Sequence, residues 1–487
     1  MSGNGKRVRL STGTRVRAVL LALTTLCVGW TSQSAAQHKL LVRNAQIVSM
    51  QEAEESPYVG YILVDADGRI AAIGEGNAPT GTQAKRTVDA SGMIVMPGFV
   101  SGHSHLAASV RRGRLPDKEL DGLIDNPVPH FGAEYYRPGD LHAFALHGAV
   151  DYLRNGITAA FEYPIRPRNL SEDLYKEMLA AELKSGMRLV YGYNVPDLPL
   201  EQARAAFVAF KEYADALGAS NPRLLKLALA KTGHLGRWGH DIFPTEVAIA
   251  KEFGLDLQLH FLESNYYQRQ NRADFSMMED VGALSVGLIY GHFIHHSDEI
   301  LQKSVVAGAR MIWNPLSNGR LASGLADVPK YLKAGMTVGM GLDGQSTADL
   351  SDPFENMRMG LYSQRMKYRS AAILSPLDML RLHTIGTARA IGVAQDIGSL
   401  EVGKYADFLL VDPADPDTGP IHDTYATLVF ACSSANVTAV FVGGDQVVRD
   451  GQPLLVDAAK LAKEVKERAN AMQKRASAVL SALTAEK

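Results

Sequence analysis

Cysteine is close to absent: Cys27 and Cys432 are the only two in 487 residues. A disulfide scaffold is therefore excluded, and stability must come from packing. Net charge is also missing, since 50 Lys and Arg stand against 52 Asp and Glu for a formal charge of -2. No Lys/Arg block occurs beyond the first seventeen residues, so the chain has no basic footprint for nucleic acid. The apolar run at residues 18–28 is too short to span a bilayer. What remains, 46% hydrophobic and 21% charged residues, is the composition of a soluble globular protein with a large core and more than one small domain.

Lys6, Arg7, Arg9, Arg15 and Arg17 precede the short apolar run, and Ser34-Ala35-Ala36 follows it. Basic, apolar and small residues in that order read as a secretory signal peptide over residues 1–36, cut before Gln37. A plain N-terminal anchor is the other reading; Thr24-Thr25-Leu26 before Cys27 makes a poor lipoprotein box. Export to the periplasm or the medium is expected, with no stable membrane insertion after cleavage. Cleavage would remove Cys27 and five basic side chains, taking the formal charge from -2 to -7.

From about Asp140 a unit recurs: an amphipathic helical stretch, a glycine placed to end it, then a short apolar strand. Gly156, Gly186, Gly254, Gly287, Gly308 and Gly335 precede strands expected at 157–163, 187–194, 255–260, 288–292, 309–314 and 336–343. With 99–105 and 224–230 the count reaches eight, which predicts an α/β fold, a (β/α)₈ TIM-like barrel over residues 97–395. An open doubly wound sheet is the alternative. The flanks, 37–96 and 396–455, are β-branched runs broken by Gly, Asp and Asn, with hairpin signals at Asp67-Gly68 and Gly443-Gly444. Two half-domains at opposite ends of a barrel are expected to join in one small β-sandwich. The tail, 456–487, reads as a C-terminal amphipathic helix.

Histidines and acids fall at the C-terminal ends of the expected strands, where such a barrel carries its chemistry. His103-Ser104-His105 closes the first strand, and a period of two sends both imidazoles to one side. Alone, a His-x-His pair is as readily an ordinary loop. His260, His292 and Asp343, each ending its own strand, turn it into a convergent set of nitrogen and oxygen donors.

These landmarks resemble the amidohydrolase superfamily, in its branch of cytosine deaminase-like, S-adenosylhomocysteine deaminase-like and chlorohydrolase-like enzymes. The resemblance is carried by residues 97–105, by His260-Phe261-Leu262-Glu263, Gly291-His292 and Ser297-Asp298-Glu299. It continues through Asn314-Pro315-Leu316-Ser317-Asn318, Leu321-Ala322-Ser323-Gly324, Gly341-Leu342-Asp343-Gly344 and the return segment 398–407. It implies one Zn²⁺ or Fe²⁺ per chain, bound by His103, His105, His260 and Asp343, that activates water for attack on a non-peptide C–N bond. Asp343 would also accept the water's proton, His292 would hold the nucleophile, and Glu263 would manage protons on a small amino-heterocycle and its departing ammonia. Against that role, His-x-x-Glu is a short, common spacing and Glu263 is also readable as a salt-bridge residue. His234, at the end of the fourth strand, is implied as a substrate contact and is equally readable as a loop histidine among glycines.

Two features depart from the pattern. Relatives carry a Trp-bearing segment after the first metal motif, whereas residues 120–130 here hold none, so the substrate does not transfer with the metal site. Lys231 ends the fourth strand, where the binuclear branch has a carboxylated lysine bridging two metals. In that alternative His292 becomes a ligand and the chain hydrolyses amides, carbamates or esters. A third reading is a barrel that binds without catalysing, disfavoured because no ligand is missing. A small-molecule substrate is the expected partner, and the sequence leaves a homo-oligomer open.

Overall fold

The computed structural model describes residues 38–52, 56–115, 117–120, 135–164, 170–232, 241–264, 268–414 and 416–485, with Met1 and Leu235. His234 and most of the 120–130 segment lie outside the described residues. The flank strands are β1 (His38–Ile47), β2 (Tyr58–Val64), β3 (Ile70–Glu75), β4 (Ala84–Asp89) and β5 (Ile94–Pro97). The barrel follows as β6 (Phe99–Ser104), β7 (Ile157–Glu162), β8 (Arg188–Tyr193), β9 (Leu224–Ala230), β10 (Asp256–Phe261), β11 (Gly287–His292), β12 (Arg310–Trp313) and β13 (Thr337–Met340). The chain returns to the flank sheet with β14 (Phe408–Val411), β15 (Val437–Val442), β16 (Asp445–Arg449) and β17 (Gln452–Pro453).

Strands β6 to β13 pair in chain order as one parallel eight-stranded sheet. The ring is drawn shut where Ser104 bridges Asp343 in parallel and the Asp343 N–H donates to the His103 carbonyl at 3.0 Å. β6, β7 and β8 are buried at every position, because one face fills the barrel and the other lies under helices. Val100, Phe161, Val190, Ile289 and Ile312 meet in one apolar cluster. They come from strands that are not all neighbours, and only the barrel interior brings such residues together.

Local signals set the element ends. The helix Glu172–Ser185 starts at Ser171, whose hydroxyl accepts the Leu174 N–H, and ends at Gly186, left-handed at φ 96°. Gly287 behaves otherwise than its spacing predicts. The left-handed turn falls at Gly282 (φ 69°), and Gly287 opens β11. A Cβ there would stand 1.9 Å from Asp256 Oδ1, so this glycine serves close approach to a side chain.

The flanks form one continuous mixed sheet of nine strands, joined where β5 pairs antiparallel with β14. Its core mixes both halves: Leu40, Val42, Ile62 and Val64 pack with Phe408, Leu410 and Phe441. Arg188 fixes this sheet to the barrel, donating to both Asp407 oxygens at 2.6 and 3.1 Å and stacking 3.6 Å from the Tyr405 ring centre. The tail forms the helix Ala458–Ala485, whose Arg468 and Arg475 pair with Asp140 of the helix Asp140–Arg154. Among the described residues no helix is long and apolar enough to cross a membrane.

Candidate active site

β6 ends in the histidine pair, and His260 reaches the same point from β10. Its Nε2 lies 3.1 Å from that of His103 and 3.2 Å from that of His105. Asp343 arrives across the barrel seam, with Oδ1 3.2 Å from His105 Nε2 and 3.8 Å from His103 Nε2. His292, ending β11, sets its Nε2 3.8 Å from Asp343 Oδ2 and 3.5 Å from Glu263 Oε1. The structure thus brings together six of the sequence-predicted residues: His103, His105, His260, Glu263, His292 and Asp343.

Neighbouring groups fix the imidazole protons. His103 Nδ1 donates to Gln258 Oε1 at 2.6 Å, and the Gln258 amide donates in turn to the Gly102 carbonyl at 2.8 Å. His105 Nδ1 donates to the Tyr163 carbonyl at 2.6 Å. In the neutral rings both Nε2 atoms then carry lone pairs aimed at a third imidazole nitrogen. Lone pairs this close repel unless a cation lies between them. His103, His105 and His260 form one set with ligand atoms within 4.8 Å of one another, and His103, His292 and Asp343 form a second. A donor set of imidazoles and one carboxylate, all buried but for the half-buried His260, fits a divalent cation of the zinc or ferrous type.

The electrostatics keep these groups in ligand form. Burial, then the neighbouring His105 ring, pushes His103 down to about 3. Burial likewise takes His292 down to about 4. Burial alone would raise the Asp343 carboxyl, but the imidazoles of His105, His292 and His103 around it outweigh this and hold it well below the usual carboxylate range. Near neutral pH the cluster is two neutral rings against one carboxylate at these three positions.

The backbone bends sharply at these strand ends. Leu262 (φ 55°), His292 (φ 74°), Phe293 (φ 47°) and Asp343 (φ 59°) all sit in the left-handed region without being glycine. Such conformations persist where surrounding packing over-determines them, and they gather at functional sites. Gly341 serves the same seam: a Cβ there would meet Asn314 Oδ1 at 2.5 Å and the His103 backbone nitrogen at 2.9 Å.

Lys231 has other partners. Its side chain is fully buried, with Nζ 3.5 Å from Glu246 Oε2 and over the Phe243 ring. Burial lowers its pKa and Glu246 works against that. Carboxylating this amine would set a second anion against the buried Glu246 carboxylate, which disfavours the bridging role.

Three positioning side chains carry no role in the sequence reading. Gln258 stands two residues before His260 on the same face of β10, a signal that the strand period does contain. Ser317 and Asn318 lie on the short helix Pro315–Arg320. The Ser317 hydroxyl donates to Asp343 Oδ2 at 2.5 Å, and the Asn318 amide meets His292 Nδ1 at 2.7 Å.

The model of the amidohydrolase family matches residues 94–447. A 5-methylthioadenosine/S-adenosylhomocysteine deaminase of Halobacterium salinarum is 29% identical over 433 residues, covering 86% of this chain and 95% of its own. An adenosine deaminase from Xanthomonas campestris, solved with bound zinc, superposes with a TM-score of 0.78 at 22% identity, over 90% of this chain and 99% of that one. Atrazine chlorohydrolase from Arthrobacter aurescens, complexed with zinc, gives 0.76 at 21% identity, over 88% and 100% of the two chains. The two solved structures share the fold; the family match, spanning most of the chain, places it by sequence as well. Barrel, converging donors and family match lead to one conclusion: this chain belongs to the amidohydrolase family of metal-dependent hydrolases.

Proposed function

We propose that the chain is a mononuclear, zinc- or iron-dependent deaminase of adenine-type nucleosides, exported behind a signal peptide cut before Gln37. The observation that carries the deaminase reading is Glu263, buried three residues past His260 and 3.5 Å from His292 Nε2, on the rim of the donor cluster. The name of the Halobacterium relative supports the nucleoside class, and the tripartite N-terminal sequence supports export.

His103, His105, His260 and Asp343 would hold the cation, which supplies acidification of water and charge stabilisation. Asp343, held by Ser317, takes one proton from the attacking water. Glu263 receives that proton from Asp343 and gives it to the ring nitrogen beside the carbon under attack. It then relays the hydroxyl proton of the adduct to the departing amine, the C–N bond breaks, and ammonia leaves behind a carbonyl. His292 directs a polar contact at the entering oxygen.

The test is ammonia release from a panel of adenine nucleosides, amino-pyrimidines and amides, run beside a metal-to-chain ratio. Deamination with one ion per chain is expected. Amide hydrolysis without ammonia release from any amino-heterocycle would overturn the reading.

A further inference from the structure

Asn318 is 3% exposed and His292 fully buried, and nothing in the chemistry above assigns Asn318 a role. Its amide meets His292 Nδ1 at 2.7 Å. On the other side of the ring, Nε2 faces Glu263 Oε1 at 3.5 Å and Asp343 Oδ2 at 3.8 Å. Two arrangements satisfy the short contact. In the first, the Asn318 NH₂ donates to a bare Nδ1 and the ring proton sits on Nε2, between two carboxylate acceptors. In the second, the Asn318 carbonyl accepts from Nδ1–H, and the Nε2 lone pair is left facing two carboxylates with no proton between them. The second sets acceptor against acceptor in a buried site, where such repulsion is strongest.

We infer that Asn318 is a positioning residue that locks His292 in the Nε2–H tautomer, so that His292 acts on the reacting oxygen as a hydrogen-bond donor and not as a proton acceptor. The inference rests on the proposed reaction for its consequence, while the tautomer itself is independent of it. Asn318 is well placed for the task. Its N–H donates to the Asn314 carbonyl at 2.9 Å, its carbonyl accepts from the Ser323 N–H at 2.9 Å, and adjacent Ser317 holds Asp343. One short helix thereby orients both the carboxylate and the imidazole.

Two variants separate this role from packing. Asn318→Asp keeps size and hydrogen bond but reverses its direction, since a carboxylate accepts only. Asn318→Ala removes the bond and leaves the ring free to choose. Measured at pH 8 with zinc content and KM recorded, Asn318→Ala should lose about 10-fold in kcat and Asn318→Asp about 100-fold, with the metal retained. A purely structural asparagine gives the opposite order, with Asn318→Asp close to wild type, and that order would overturn the inference. The tautomer is read without turnover on the zinc-loaded full chain labelled with ¹⁵N-histidine, His292 being assigned by difference from His292→Gln. Nε2 is expected as the protonated, pyrrole-type nitrogen; a protonated Nδ1 in the wild type sinks the inference whatever the variants do. A protonated Nε2 in a chain that releases no ammonia upholds the tautomer and refutes the reaction instead.

Discussion

His105 Nε2 lies 3.2 Å from Asp343 Oδ1 across the seam where the barrel's last strand meets its first. The same seam carries the hydrogen bond from the Asp343 N–H to the His103 carbonyl, so closing the ring and assembling the donor set are one structural event. Asp343→Asn keeps the backbone bond and removes the anion. It should lower zinc occupancy and reduce kcat by about 10²- to 10⁴-fold while the far-ultraviolet circular dichroism stays unchanged. Full turnover in that variant would refute the role of the carboxylate.

Gln258 acts one bond further out. Through His103 Nδ1 it fixes which nitrogen is bare, and its own orientation is set by the Gly102 carbonyl. Gln258→Leu should weaken zinc binding about 10- to 100-fold in a chelator competition titration, with little change in melting temperature of the zinc-saturated protein.

Glu263 is assigned to protons and not to the cation. Glu263→Gln should therefore retain a wild-type zinc ratio while kcat falls about 10²- to 10⁴-fold. Loss of zinc together with activity would move Glu263 into the ligand set.

His383 provides a pH signature away from the cation. Burial pushes it down to about 4; its Nδ1–H donates to the Val100 carbonyl and its Nε2 accepts from Asn356. The unfolded chain takes up the proton near the ordinary value of 6.5, so between pH 6.5 and 4 the unfolded state binds more protons. Stability from this group is whole above pH 6.5 and is lost as pH falls towards 4, a change on the order of 3 kcal/mol. His383→Gln should flatten urea-derived stability against pH across that window. An unaltered slope would show that His383 titrates normally.

Much of this was readable from residues alone, for physical reasons. Parallel strands buried on both faces must be continuous apolar runs, so all eight barrel strands stood out. Ligands at strand ends followed from the barrel's polarity, and His103 with His105 from the strand period. Contacts set by tertiary packing were hidden. Gln258 reads as an ordinary polar residue until the ring closes and brings His103 across from it. Ser317 and Asn318 were visible as landmarks, but which side chains they address depends on the bends at His292 and Asp343. The partner of Lys231, Glu246, lies fifteen residues on in the next helix, and its carboxylate is what sets Lys231 apart from the donor cluster. Gly287 shows the reverse error: helix-ending chemistry was expected, and room for Asp256 was the cause.

The most direct test strips the purified chain of metal with a chelator and adds zinc back in measured equivalents, following ammonia release from an adenine nucleoside. Activity that is abolished by stripping and restored in full at one equivalent is the expected result. Restoration only at two equivalents, or turnover that survives complete removal of the metal, would contradict a single cation held where His103, His105, His260 and Asp343 converge.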